Sequence, residues 1–268
     1  MRSAYAAGVL NALHENGVRD FDVVVGTSAG ACCAVNFVGG EPQRNFDILY
    51  HHLCNSRFIR YSKVFTRENI VDIDFLLDEV IGRYVPLPLE RVFSTSTRLF
   101  VAATDCVTGK PRYFNLEEDN VVEALRASCA MPYLYRKHIM FDDHRFIDGG
   151  VSVSIPVQKT IEEGCDEIWV IGTRPLGYRK KRNPVGWLNY LFFPRYPNMV
   201  KALNDRWREY NETLQWLENP PPDKKVVFIR PQGRLPVGRT TRDPARIRDG
   251  FRMGYDDTVS ILKKKGLM

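Results

Sequence analysis

Two short runs in this 268-residue sequence carry residue types whose spacing suits acyl transfer. The first is Gly26-Thr27-Ser28-Ala29-Gly30, a G-x-S-x-G pattern. A serine at its centre can act as a nucleophile where the chain turns sharply from a strand into a helix. Glycines two positions before and after it let neighbouring backbone pass closely. The helix that follows aims its N-terminal amides, and the positive end of its dipole, at a developing oxyanion. On this reading Ser28 is the nucleophile, supported by Gly26, Ala29 and Gly30. A phosphate-binding turn is the competing reading of the same glycines. It is weak, because a P-loop needs a lysine after them and none follows.

A serine hydroxyl also needs a base. The histidines are His14, His51, His52, His138 and His144, and none follows Asp148. A triad in the order serine, acid, histidine would need Asp105 followed by His138 or His144. The second run, Asp148-Gly149-Gly150, offers a simpler partner. An aspartate at the end of a strand, followed by glycines, can approach another strand's turn without steric obstruction. A carboxylate that titrates at about 4 in water is a poor base at neutral pH. Desolvation in a closed cleft would raise that value and suit a Ser–Asp dyad. Taken alone, the run also reads as an ordinary Asp-Gly turn.

Positioning these residues falls to an alternation of helices and strands. Ala6, Val9, Leu10 and Leu13 recur at helical spacing in residues 4–15, and Gly17 ends that helix. Residues 21–25 form a short β-branched run that leads straight into Gly26. The small-residue stretch after Gly30 suits a helix. Residues 39–88 read as helical and charged. A strand is predicted over 98–104 with a hairpin partner at 111–115, then a helix over 121–129 that must stop before Pro132. Residues 145–147 predict the strand that delivers Asp148, followed by a helix at 157–163 and strands at 167–172 and 226–230. Helices are expected over 200–217 and at the C-terminus, where Ile247, Phe251, Val259 and Leu262 recur. This order is α/β punctuation, and the length suits one large domain with a helical, lid-like insertion over about 176–225.

Composition narrows the class. The apolar fraction is 44% and the charged fraction 26%, ordinary for a globular protein. A net charge of +6 fits attraction to anionic headgroups or simple solubility. No zinc-finger spacing, RNP-like run or basic heptad points to nucleic acid. Cys32, Cys33, Cys54, Cys106, Cys129 and Cys165 form no C-x-x-C pair, and no secretory leader precedes them, so reduced core cysteines and a cytoplasmic setting are expected.

Taken together, Gly26-Thr27-Ser28-Ala29-Gly30 and Asp148-Gly149-Gly150 resemble the signature elements of the patatin-like phospholipase family. Arg126-Ala127-Ser128-Cys129-Ala130-Met131-Pro132 is similar to that family's R-A-S-x-A-x-P segment, and residues 148–156 to its D-G-G-x-x-x-x-x-P block. Residues 5–13 resemble the x-A-G-V-L-x-x-L helix that follows its oxyanion loop, and the similarity runs from residue 2 to about 175. The resemblance implies a three-layer α/β/α sandwich with a central, mostly parallel sheet. It also implies a hydrolase of phospholipid or lysophospholipid esters, with Ser28 as nucleophile, Asp148 as base, Gly149 and Gly150 in support, and neither metal nor cofactor.

One departure stands out. Family members carry a Gly-Gly-Gly-x-Arg-Gly loop after a first strand, and Met1-Arg2-Ser3 falls where x-Arg-Gly would be. Arg2 and Ser3 are therefore the remaining oxyanion candidates, and the strand and glycines are expected upstream of residue 1. The alternative function is an impaired patatin-like scaffold that binds lipid or a partner. Finally, Arg179, Lys180, Lys181 and Arg182 precede Trp187, Tyr190, Phe192, Phe193 and Tyr196. That pairing suits peripheral contact with an anionic membrane, or else a packed helical edge.

Overall fold

The computed structural model describes residues 1–66, 68–137, 139–141 and 143–268. In chain order it contains α1 (Ser3–Glu15), β1 (Val23–Thr27), α2 (Ala29–Val38), α3 (Gln43–Asp47), α4 (Leu89–Ser94), β2 (Arg98–Asp105) and β3 (Pro111–Asn115). There follow α5 (Val121–Cys129), β4 (Ile139–Phe141), β5 (His144–Asp148), α6 (Val157–Glu162), β6 (Glu167–Ile171), α7 (Asn189–Phe192), α8 (Pro197–Glu218), β7 (Lys225–Ile229) and α9 (Pro244–Lys264). The architecture is the expected α/β/α arrangement.

β2 is the spine of the sheet. Its residues from Leu99 to Asp105 are all buried, as an apolar run covered on both faces requires. β1 pairs with it in parallel, Val23 opposite Arg98 through Thr27 opposite Ala102. β3 pairs antiparallel, Phe100 opposite Asn115 through Thr104 opposite Pro111. β5 also pairs antiparallel, from Ala103 opposite Asp148 to Asp105 opposite Phe146. A strand has only two hydrogen-bonding edges. β3 overlaps both β1 and β5 along β2, so it must hold one edge while β1 and β5 share the other. β1 therefore ends at the level of Ala102 just where β5, running the opposite way, ends at Ala103. The two strand ends meet head to head, and the residues leaving them, Ser28 and Asp148, become neighbours.

β6 and β7 form a second parallel pair, and α6 packs on both β1 and β6. Phe21, just before β1, meets Trp169 of β6 edge to face at 6.4 Å.

The helical framework explains why α1 looks apolar on every side. Every residue from Ser3 to Leu13 is buried, because α9 crosses it closely. A Cβ at Gly8 would lie 1.9 Å from the Phe251 carbonyl oxygen, and one at Gly254 would lie 2.1 Å from that of Tyr5. Only glycine permits that approach. α9 starts at Pro244 behind an Asp243 cap that accepts from the Ala245 and Arg246 amides.

Most expected elements stand within a residue or two. β1 runs on through Gly26 and Thr27, later than the β-branched residues alone suggest, because pairing with β2 continues to Ala102. β4 carried too little apolar pattern to be expected, and it exists by pairing with β5. Of the expected helical stretch 39–88, the described helical parts are α3, a 3-10 turn over Tyr61–Phe65 and wider π-type turns over Ile48–Leu53 and Phe75–Tyr84, with an antiparallel bridge between Ile59 and Val71. α8 is a wall of the fold: its Met199 and Val200 pack with Cys106, Ile147 and Val151, and its Leu217 with Val157, Ile168 and Val170.

Candidate active site

Ser28 sits between β1 and α2 with φ 55° and ψ −132°, a left-handed conformation that non-glycine residues rarely adopt. Two contacts hold the turn. A Cβ at Gly26 would fall 2.4 Å from Ala31 Cα, so glycine is required where the turn folds back on the helix. The Ser28 amide donates to Ser128 Oγ at 2.8 Å, and that hydroxyl donates to the Ala102 carbonyl at 2.6 Å. Ser128, fully buried at the end of α5, thus ties the nucleophile turn to the spine strand. Gly30 does not match its sequence-based role. Among the described residues nothing lies within 4 Å of where its Cβ would be, so it keeps space open at the start of α2 instead of admitting a neighbouring chain. Ala29 and Gly30 are exposed. The first amides of a helix have no intrahelical partner, so they stand ready for an anion.

Ser28 Oγ donates to Asp148 Oδ2 at 2.7 Å. Asp148 is 6% exposed and well fixed. Its Oδ1 accepts from the Gly150 amide at 2.8 Å, its own amide donates to the Ala130 carbonyl at 3.0 Å, and its carbonyl accepts from Thr104 Oγ1 at 2.9 Å. Gly149 is required because a Cβ there would meet the Ala102 carbonyl oxygen at 2.1 Å. Burial lifts the Asp148 carboxyl above the ordinary carboxylate range, and the Ser28 hydroxyl, Arg206, the Gly150 amide and Arg239 partly oppose that lift. The result is a carboxylate that holds a proton better than a solvated one would.

No histidine enters this arrangement among the described residues. His144 Nδ1 does sit 2.9 Å from Asp105 Oδ2, the acid and imidazole a triad would have used. However, His144 begins β5 whereas Asp148 ends it, some 13 Å away along an extended strand. His138 lies outside the described residues. Among the described residues no group of His, Cys, Asp and Glu could hold a metal ion.

The structure divides the other predicted residues. Ser3 begins α1 and Arg2 stands at the cap position before it. Arg179 is engaged in an ion pair with Glu218. Lys180 turns inward, donating to Ser154 Oγ at 2.9 Å and lying 4.2 Å over the Tyr210 ring. Lys180 is therefore not part of an outward basic strip, because Ser154 and the Tyr210 ring capture it, whereas Arg179 stays at the surface with its charge paired. Lys181 and Arg182 remain exposed. Trp187 and Phe192 are 62% and 66% exposed, whereas Phe193 packs beside Met199 and Val200 and is an anchor. Among the described residues no helix is long and apolar enough to cross a membrane.

Sequence reasoning missed Arg206, near the middle of α8. A Cβ on Gly150 would lie 3.3 Å from Arg206 Nη2 and 2.9 Å from Asp148 Oδ1, so the guanidinium stands over the Asp148 turn. Its Nε is buried without a hydrogen-bond partner among the described residues. No motif signals it, since helix periodicity cannot tell an inward arginine from a surface one.

A family model described as patatin-like phospholipase matches residues 1–161, which include Ser28, Ser128 and Asp148. A second, described as a domain of unknown function (DUF6363), matches residues 196–265, which include Arg206 and Arg239. The chain is 26% identical over 261 residues to a protein of Escherichia coli (strain K12) named "Uncharacterized protein YjjU", covering 94% of this chain and 72% of that protein.

Proposed function

Because the chain belongs to the patatin-like phospholipase family, we propose that it is a serine acyl-hydrolase of phospholipid or lysophospholipid esters, working through a Ser28–Asp148 dyad. The observation that carries this reading is the 2.7 Å hydrogen bond from Ser28 Oγ to a buried carboxylate at the end of a facing strand.

In the proposed reaction Asp148 takes the hydroxyl proton as Ser28 Oγ attacks the ester carbonyl carbon. The oxyanion that forms faces the first amides of α2, at Ala29 and Gly30, and the positive end of that helix. The bond to the leaving alcohol breaks as Asp148 returns the proton to it, leaving an acyl group on Ser28. Water then gives a proton to Asp148 and attacks the acyl carbon, and Ser28 recovers its proton as the fatty acid leaves. Burial supports Asp148 in this double role, since a carboxyl of raised pKa accepts a proton more readily than a solvated one.

We assign lipid contact to the exposed segment around Val185, Trp187, Tyr190, Leu191 and Phe192, with Lys181 and Arg182 beside it. Tyr133 braces it, its ring 5.7 Å from Phe192 and 5.3 Å from Phe193. Trp187→Ala combined with Phe192→Ala should weaken sedimentation with anionic vesicles and spare turnover of a soluble ester. Equal loss on both substrates would assign the segment a structural role only.

The dyad is tested by Ser28→Ala and Asp148→Asn assayed on a soluble short-chain ester. Each should lose at least about a hundredfold in kcat, the scale of a missing nucleophile or base. A variant that keeps a tenth or more of wild-type activity would remove its residue from the mechanism.

A further inference from the structure

Next to the dyad the fold gathers basic side chains from separate parts of the chain. Arg2 immediately precedes α1, Arg174 and Lys180 lie in the segment after β6, Arg206 projects from α8, and Arg239 precedes α9. Several contacts bring them together. The Met1 amino group donates to the Arg239 carbonyl at 2.8 Å, which places that loop beside Arg2. The Arg174 guanidinium lies 4.4 Å over the Tyr178 ring, that ring meets Tyr210 at 6.0 Å, and Lys180 Nζ lies 4.2 Å over the Tyr210 ring. Lys180 also reaches Ser154, whose hydroxyl donates to the Gly150 carbonyl at 3.2 Å, so the cluster adjoins the Asp148-Gly149-Gly150 turn. Arg206 stands directly over Gly150.

Among the described residues none of these five groups makes an ion pair, and Arg206 Nε is buried with no acceptor at all. Arg2, Arg174, Lys180 and Arg206 are half-buried, with Arg239 exposed at their edge, and crowding half-buried like charges is unfavourable. Burial and the nearby arginines push Lys180 down to about 7, and burial with Arg174 and Arg239 pushes Arg2 down to about 10. The acids that face the group are Asp148 and Glu209. An anion rich in oxygens would satisfy the idle donors and relieve the repulsion. A compact dianion fits best, because a choline or ethanolamine head would set another cation among these.

We propose that Arg2, Arg174, Lys180, Arg206 and Arg239 bind the phosphomonoester of an acylated glycerol phosphate, and that residues 196–265 serve the reaction by supplying Arg206 and Arg239. This inference rests on the esterase reading above. The phosphate sits on Arg206, beside Asp148, and the glycerol carries the ester to Ser28.

The test compares kcat/KM for monoacylglycerol phosphate, monoacylglycerophosphocholine and monoacylglycerol of one chain length, for wild type, Arg206→Gln, Arg206→Lys and Arg239→Gln. Wild type should prefer the phosphomonoester by about tenfold or more, the scale of a hydrogen bond to a charged group. That preference should collapse, mainly through KM, in Arg206→Gln and Arg239→Gln, and Arg206→Lys should restore part of it. A flat wild-type preference, or one unchanged in Arg206→Gln, overturns the proposal. Inorganic phosphate should compete with the phosphomonoester substrate. If it instead binds Ser28→Ala by calorimetry while wild type shows no substrate preference, the cluster takes free phosphate, and the substrate role is overturned. A fluorophosphonate probe separates the two readings. Labelled Ser28 with flat preference counts against this inference alone, whereas unlabelled Ser28 counts against the esterase and the inference together.

Discussion

At the scale of single residues, the site is a serine held in a strained turn against a carboxyl that burial has made more basic. Such a carboxyl must be ionised to accept a proton, so activity should fall as pH drops through its folded pKa. That acid limb should lie above the range of a solvated aspartate, and Arg206→Gln should move it higher still, because Arg206 favours the ionised form. A pH profile of kcat/KM on an uncharged soluble ester reads this directly, and a downward shift in Arg206→Gln would contradict it. The same burial has a stability consequence. A carboxyl whose pKa is raised on folding supports the fold below its unfolded pKa and loses that support as pH rises through the folded value. Asp148→Asn should therefore melt no lower than wild type at neutral pH, with the gap closing in acid; a markedly lower melting temperature would refute the account. Ser28 and Asp148 were legible because glycines flank them in fixed patterns. Ser128 was legible only as part of a family-like segment, and Arg206 not at all, since its role depends on which face of α8 meets the Asp148 turn.

Among the elements, the decisive arrangement is the shared edge of β2, where β1 and β5 end facing each other. The strands and their order along the chain could be read from apolar runs and glycines. That three strands would divide two edges in this way could not, because pairing partners are set by tertiary contacts. Two glycines at this junction should respond in opposite ways. Gly149→Ala would drive a methyl group into the Ala102 carbonyl, so it should cost about 1–3 kcal/mol or more and displace Asp148. Gly30→Ala meets nothing within 4 Å among the described residues and should stabilise α2 by up to about 1 kcal/mol, yet lower activity by filling the open space at the helix start. Chemical denaturation alongside ester assays distinguishes them. Equal stability losses would contradict the packing described here.

Across the whole molecule, the segment matched by the patatin-like model ends well before the helices that complete the core. α1 is buried all round because α9 covers it, and α8 closes over the Asp148 turn. We therefore expect residues 1–161 alone to lack a cooperative unfolding transition; a sharp calorimetric transition for that fragment would show an independent domain. The lid-like reading of residues 176–225 came from their irregular composition, and sequence could not show that α8 would bury Met199, Val200, Tyr210, Leu214 and Leu217. The most direct test of the central claim is to trap the acyl-enzyme, by quenching the protein with a slowly deacylating ester and mapping the modified peptide by mass spectrometry. The account predicts one acyl group on Ser28 in wild type, none in Ser28→Ala, and strongly slowed acylation in Asp148→Asn. An acyl group on another residue, or acylation at the wild-type rate in Asp148→Asn, would contradict it.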